Sequence, residues 1–364
     1  MDIKKEKDKE EKKTSSHVLN KREHYMNNLN VETKASMKSR ILVGIVLVLI
    51  VVPCVILGDY VFAALILVAS VISCHEIIKA PQSIEKRFNL SINIFAFFMM
   101  VALIFWIILK NNISAWMLSP ENFYFDLSTS FTGPQISLTT FFISVLFLFA
   151  NVLVDKNFTI HDAFYLVTML FIVSIGFQSI LFLRYAPFTY SKNLGIDVGY
   201  TYSTAPATFK YVQSIGLIFY MLAGTCLNDV GAYFIGVLFG KHKMSPRISP
   251  KKTWEGLAGG IVISLVVSLT LGLVLDACGL PLLKGVLDNE HWYNVLILSI
   301  LMPLFSVLGD LIFSAIKRSY QIKDFGTVLK SHGGILDRLD SILIVSIMLA
   351  LFIEVMAKGR NIMI

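Results

Sequence analysis

Charge is scarce in this chain of 364 residues: Asp, Glu, Lys and Arg make up 16% of it, against a hydrophobic fraction of 55% and a mean hydropathy of +0.69. A water-soluble globule of that composition would expose more apolar surface than water tolerates, which excludes the soluble classes. Cysteine is also sparse. Cys54, Cys74, Cys226 and Cys278 lie in or at the ends of apolar runs, with no CxxC pair and no zinc-ligand spacing. They read as small apolar residues, not as a disulfide framework or zinc site. No cleavable signal peptide is visible, because the first 40 residues are polar and no short apolar segment precedes the first long run.

What the chain has instead is long apolar runs. A membrane-crossing helix needs about 20 mostly apolar residues. Such stretches lie near 41–58, 60–78, 90–110, 136–154, 162–184, 211–240, 257–277, 293–316 and 339–357. They predict an all-α polytopic integral membrane protein with about nine transmembrane helices, the first two being compatible with a tight hairpin. The formal charge of +7 is spread over loops and not gathered on a basic domain, which argues against nucleic acid as a partner. Segments Lys79–Arg87, Lys241–Lys252 and Lys317–Lys330 carry three to five cations each, and Asn111–Gln135 carries none. The positive-inside rule therefore predicts a cytoplasmic amino terminus and, by parity, an outside carboxyl terminus, which Lys358 and Arg360 oppose weakly.

Residues 1–40 hold 11 Lys/Arg and 7 Asp/Glu in an aromatic-poor tract, expected to be a disordered charged cytosolic tail. Its basic cluster at Lys34, Lys38 and Arg40 reads as a topology signal, with attraction to anionic lipid as the alternative. Residues 41–210 read as a transmembrane scaffold and 211–364 as a transmembrane catalytic region. The division follows polarity. From Cys226 onward ionisable residues enter the apolar runs, Asp229 in the sixth and Asp310 in the eighth. In hydrocarbon such groups cost several kcal/mol unless they face protein, water or a cation.

Three constellations stand out. Asp229, Ala232, Tyr233 and Gly236 share one helix face, with small residues that permit close helix approach. The plain alternative is a packing helix whose Asp is neutralised by a neighbour. In the loop from Gly240 to Gly256, Ser249-Pro250 predicts a turn, and Lys251, Lys252 and Thr253 offer ammonium and hydroxyl donors ahead of Gly256, Gly259 and Gly260. Polyphosphate would be held there by charge-assisted hydrogen bonds, unless the loop is only topology-setting charge. The third runs from Gly309-Asp310 to Asp340. Asp310 precedes Lys317 by seven residues, about 10 Å of helix. Asp337 and Asp340 fall on successive turns of the ninth run, after His332-Gly333-Gly334. A loop that folds back lets Asp310 meet Asp337 around a cation, and Mg2+ takes carboxylate oxygens together with substrate phosphate oxygens. The stretch reads as part of an active site that handles phosphates with a divalent cation at a membrane surface.

From Asn228 to Gly260 and from Gly309 to Ser341 the chain resembles the phosphatidate cytidylyltransferase, or CDP-diacylglycerol synthase, family of membrane nucleotidyltransferases. The resemblance rests on Ser314, Lys317-Arg318, Lys323-Asp324, Gly326, Leu329, His332-Gly333-Gly334, Asp337-Arg338 and Asp340 at the family's spacing. It extends to SPKKTWEG at Ser249–Gly256 and the preceding Asp-x-x-Ala-Tyr-x-x-Gly. The departures are Lys330 where the family has Pro, Gly or Ser, Ser331 for the usual Gly, and Phe313 for a glutamate common in bacterial members.

The resemblance implies that CTP and phosphatidate give CDP-diacylglycerol and pyrophosphate by in-line attack of the lipid phosphate on the CTP α-phosphorus. It implies Mg2+ at Asp310 and Asp337, with a second cation such as K+ admissible. Lys251, Lys252, Lys317, Arg318, Lys323 and Arg338 would neutralise phosphates, while Ser249, Thr253, His332, Gly333 and Gly334 would orient them. Asp229 and Asp340 would position basic residues or metal. A homodimer, a polar funnel open to the cytosol, and a bacterial inner membrane (the endoplasmic reticulum in a eukaryote) belong to the same expectation. The rivals are a CTP-dependent polyprenol or dolichol kinase, opposed by the full HGGxxDRxD block, and an ion-coupled transporter, for which no inverted repeat is visible. A CDP-alcohol phosphotransferase lacks support because its DGx2AR motif is absent.

Overall fold

A computed structural model describes residues 43–82, 88–116, 134–185, 207–283, 286–328 and 333–361. The amino-terminal tail, the Lys330 and Ser331 departures and His332 lie outside the described residues. Each of the nine apolar runs forms a helix: α1 Val43–Leu57, α2 Asp59–Gln82, α3 Leu90–Trp116, α4 Pro134–Val154, α5 Ile160–Tyr185, α6 Ala207–Phe239, α7 Trp254–Ala277, α8 Trp292–Ser319 and α9 Leu336–Asn361. Among the described residues, six contain spans long and apolar enough to cross a membrane, namely α2 and α5 to α9, and the apolar helical stretches of α1, α3 and α4 are 10–17 residues long. The helices are apolar on nearly every side, as expected where lipid leaves the backbone no partner but itself. The chain is an all-α polytopic membrane protein. One short antiparallel hairpin interrupts the helices, β1 Lys243–Ser245 paired with β2 Ser249–Thr253.

Helix α5 is the buried centre of the first half: 78% of its span is enclosed, against 22% for each of α6 and α7. Around it sit α2, α3, α4 and α9. The second half is built on the α6–α7 pair, with α8 against both and α9 against α8. Small residues close the α6–α7 seam. A Cβ on Gly256 would meet Ala232 O at 2.7 Å, and one on Gly260 would meet Asn228 O at 2.6 Å. Between helices, hydroxyls bond to backbone carbonyls: Ser264 to Gly224 at 2.6 Å, Tyr220 to Val295 at 3.0 Å, Ser346 to Gly176 at 3.0 Å and Tyr165 to Ile77 at 3.1 Å. With no hydrophobic drive between helices in lipid, such bonds and close packing hold the bundle together.

The first two runs are a helix–helix junction hinged at one residue. Gly58, with φ of 68°, donates to Cys54 O at 3.0 Å and ends α1 as α2 begins. Arg184, fully buried in the last turn of α5, donates through Nε to Val55 O at 3.0 Å, satisfying a carbonyl that the end of α1 leaves open. A Cβ on Gly58 would strike the Arg184 guanidinium. Gly58→Ala therefore meets both a left-handed backbone and a displaced arginine, and is expected to cost at least about 1–2 kcal/mol. Thermal unfolding in detergent measures it, with Gly44→Ala, where nothing lies within 4 Å, as the neutral control.

Candidate active site

Asp229, Lys252, Asp310, Lys317, Asp337 and Asp340 meet at one end of the bundle, where α8 and α9 converge with α6 and the hairpin before α7. Helix α8 runs to Ser319 and ends with Gln321 in the left-handed region, φ 55°, while Ile322 N bonds back to Lys317 O at 3.0 Å. This reversal is a Schellman-type stop, and it turns the following loop towards α9. Asp337, in the first turn of α9, organises that loop. Its Oδ1 accepts from Lys317 Nζ at 2.8 Å, and its Oδ2 accepts from Phe325 N at 2.8 Å and Gly334 N at 2.9 Å. The side chains of Lys317 and Asp337 are 9% and 4% exposed. Lys317 Nζ also lies 5.5 Å from the centroid of the Phe325 ring, a cation–π contact.

The second ion pair lies nearer water. Lys252 Nζ is 2.5 Å from Asp310 Oδ2, with the two side chains 25% and 30% exposed, and Ser314 Oγ donates to Asp310 Oδ1 at 3.1 Å. The β-hairpin delivers that lysine. Neighbours on β2 point to opposite faces, Lys251 being exposed and Lys252 half-buried beside Asp310. Here the structure corrects the expected turn at Ser249-Pro250: the turn is Pro246–Ile248, and Ser249-Pro250 opens β2. Proline is tolerated at the start of an unflanked strand, where its missing donor is not needed. Thr253 caps α7, its Oγ1 accepting from Gly256 N at 3.1 Å. Arg318 staples the hairpin to the end of α8, donating from Nε to Ile248 O at 3.3 Å and from Nη1 to Ile322 O at 3.0 Å.

Three carboxylates line the inner part. Asp229 of α6, Asp310 of α8 and Asp340 of α9 interact electrostatically with one another, Asp229 also with Lys252 and Arg338, and Asp340 also with Lys317. Buried Asn228 donates to Ser306 Oγ at 3.3 Å, and Ser341 Oγ donates to Ser306 O at 2.9 Å, so α6, α8 and α9 are tied at this level. Gly309 lets α9 approach: a Cβ there would lie 3.0 Å from Asp340 O. Asp340 Oδ1 accepts from Ser341 N at 2.7 Å. Ser249 is half-buried on β2, and Lys323 and Arg338 are exposed on the loop and the first turn of α9. Gly333, φ 79°, and Gly334 lie against protein carboxylates: a Cβ on Gly333 would come within 3.0 Å of Asp337 Oδ2.

Phe313, one of the departures named above, is fully buried and meets Phe325 edge-on at 6.2 Å, so it forms the apolar floor of the loop. One feature escaped the sequence reading. Glu76 of α2 accepts from Ile335 N at 3.0 Å and Leu336 N at 2.8 Å, at the very start of α9. The signal for it was present as an acidic residue in the last turns of an otherwise apolar run.

The donor set suits a hard cation. Mg2+ is commonly held by one or two carboxylates plus substrate phosphates. Among the described residues no group of three or more His, Cys, Asp or Glu side chains forms a metal cage, whereas Asp310 and the neighbouring Asp229 and Asp340 present mutually repelling oxygens that a divalent cation would relieve. Asp310 and Asp337 each have both oxygens engaged, but the Asp310 pair with Lys252 is half-exposed whereas Asp337 is buried with three donors, so Asp337 fits a cation less directly.

Fold and side chains together define an integral membrane protein with a charged cluster at one end of its helices. The model of the Cytidylyltransferase family matches residues 38–356, and the chain belongs to that family. It is 32% identical over 313 residues to the Phosphatidate cytidylyltransferase of Bacillus subtilis, covering 85% of this chain and 94% of that protein. The protein of the same name from Staphylococcus saprophyticus is 39% identical over 152 residues, 42% of this chain and 52% of that protein. That from Mycobacterium bovis is 42% identical over 128 residues, 35% and 38% of the two chains.

The two ion pairs differ in what they contribute. Asp337→Asn leaves a lysine ammonium buried without its counter-charge and is expected to cost about 3–5 kcal/mol. Asp310→Asn breaks a partly solvated pair and is expected to cost about 0–1 kcal/mol. Thermal unfolding of the two variants in detergent tests that order.

Proposed function

We propose that this chain is a phosphatidate cytidylyltransferase, transferring the cytidylyl group of CTP to phosphatidate with release of pyrophosphate. The observation that carries the reading is its alignment with the Bacillus subtilis protein over 94% of that protein's length. The site chemistry agrees. Both reactants are anions, so the main obstacle is their mutual repulsion, and preorganised cations are what the site offers. A phosphatidate oxygen forms a bond to the α-phosphorus as the bond to the β-phosphate's bridging oxygen breaks, and the electron pair leaves with pyrophosphate. The lipid phosphate brings its own nucleophilic oxygen, so neither a covalent enzyme intermediate nor a general base is required.

The chain's residues divide the work. Lys252, aligned by Asp310, and Lys251, Lys323 and Arg338, on the exposed side, neutralise and orient phosphate groups, Arg338 being able to grip two oxygens at once. Lys317, locked by Asp337, supplies a fixed positive charge beneath them. Mg2+ would be held by Asp310, with Asp229 and Asp340 nearby and Asp337 acting chiefly through Lys317; when bound it would neutralise the charge building on the phosphates. A second cation such as K+ is compatible with the same carboxylates. Acyl chains remain in the bilayer while the headgroup meets soluble CTP, because the charged end of the helices lies where lipid and water meet. The reading puts that end at the cytoplasmic face of a bacterial inner membrane, as the cation-rich hairpin and α8–α9 loop favour. A homodimer completes it, and the sparsely covered α6–α7 pair leaves room for a second copy.

Purified protein given CTP, phosphatidate and Mg2+ is expected to release pyrophosphate, and chelation of the metal to stop it. Phosphorylation of a polyprenol by CTP in place of that reaction would overturn the assignment. Asp310→Asn is expected to lower turnover at least about 100-fold while leaving membrane insertion unchanged.

A further inference from the structure

Glu76 is a carboxylate without an assigned task. It lies in the last two turns of α2, is 1% exposed, and among the described residues pairs with no Lys, Arg or His. Its charge is met instead by the amino end of α9, 259 and 260 residues away in sequence, through Ile335 N at 3.0 Å and Leu336 N at 2.8 Å. Those amides have no partner inside their own helix, and the helix dipole adds a favourable field for an anion there. Two glycines clear the space. A Cβ on either Gly326 or Gly334 would run into the Glu76 carboxylate, so the loop can close over it only without side chains at both positions.

The consequence reaches the charged site through the chain itself. Asp337 and Arg338 directly follow the two clamped residues. Asp337 takes the remaining amide, Gly334 N at 2.9 Å, and Phe325 N at 2.8 Å, besides Lys317. Between them Glu76 and Asp337 occupy the amides of Gly334, Ile335 and Leu336. No free helix end is then available to a phosphate at these three amides, and anionic substrate must be held by side chains whose placement depends on where α9 begins.

We propose that Glu76 is a positioning residue of the cytidylyl-transfer site, acting through α9 to hold Asp337, Lys317 and Arg338 in working register. The proposal rests on the function assigned above. A carboxylate needed only for assembly would loosen the whole bundle when altered, whereas this anchor governs only the loop and the first turn of α9.

Two variants test it. Glu76→Gln keeps the size but turns an amide NH2 towards a backbone N–H, and Gly326→Ala presses a methyl group on the carboxylate from the loop side. For both, kcat for pyrophosphate release from CTP and phosphatidate is expected to fall about 100-fold, the scale of a small misplacement of reacting groups, with KM for CTP within about threefold of the parent. Hydrogen exchange at residues 333–340 is expected to speed up while the α5 core stays protected. Turnover within about threefold of the parent, unaltered exchange at 333–340, or loosening throughout the bundle would each overturn the proposal. A parent protein that turns over no CTP with phosphatidate would instead overturn the assigned function and with it the catalytic half of the inference. The exchange arm would still decide whether Glu76 anchors α9.

Discussion

The ion pair between Lys317 and Asp337 is the contact on which the charged end of the molecule is built. Taking both ions out of water costs several kcal/mol each, and their attraction offsets this only when the remaining hydrogen-bonding capacity is satisfied. Here it is. The amides of Phe325 and Gly334 complete Asp337, and the Phe325 ring faces the lysine. Because the two ions belong to the end of α8 and the start of α9, the pair sets how far apart those helices can be. Phe325, Gly333 and Gly334 are drawn inward, while Lys323 and Asp324 stay exposed.

The second ion pair depends on that geometry. Asp310 lies two helical turns below Lys317 on α8, and the hairpin that brings Lys252 to it is stapled to the same helix end by Arg318. The site is thus an interleaved set of cations and carboxylates, not an open basic patch. In the proposed reaction, a lysine already aimed by its carboxylate would offer an arriving phosphate a preformed field that needs little reorganisation. The arrangement also explains how buried and half-buried carboxylates persist there: Asp310 and Asp337 each hold a lysine, and Glu76 holds two amides.

Much of this was legible beforehand, for identifiable reasons. Lipid allows the backbone no external partners, so every apolar run had to become a helix, and the nine runs appear as α1 to α9 with ends within a few residues of the expected ones. Asp229 and Asp310 were recognisable because ionisable groups do not enter apolar runs without a partner. The Ser249-Pro250 turn was misread because three residues, Pro246 to Ile248, make the turn and free the proline to start a strand. Thr253 caps α7, a task that its place before a helix also allowed. Spacing gave no sign that Gly334 with Gly326 makes room for Glu76. That residue stood in a run otherwise read as scaffold, far from every motif.

Composition and residue order by themselves determined the helical membrane architecture and the identity of the charged residues, because hydrophobicity and local spacing act over a turn or a span. Which carboxylate holds which lysine, and which one closes the amino end of α9, was decided only when the helices packed. Those choices turn on oxygen and nitrogen atoms meeting within about 3 Å across as many as 260 residues of chain. No local pattern specifies such a meeting.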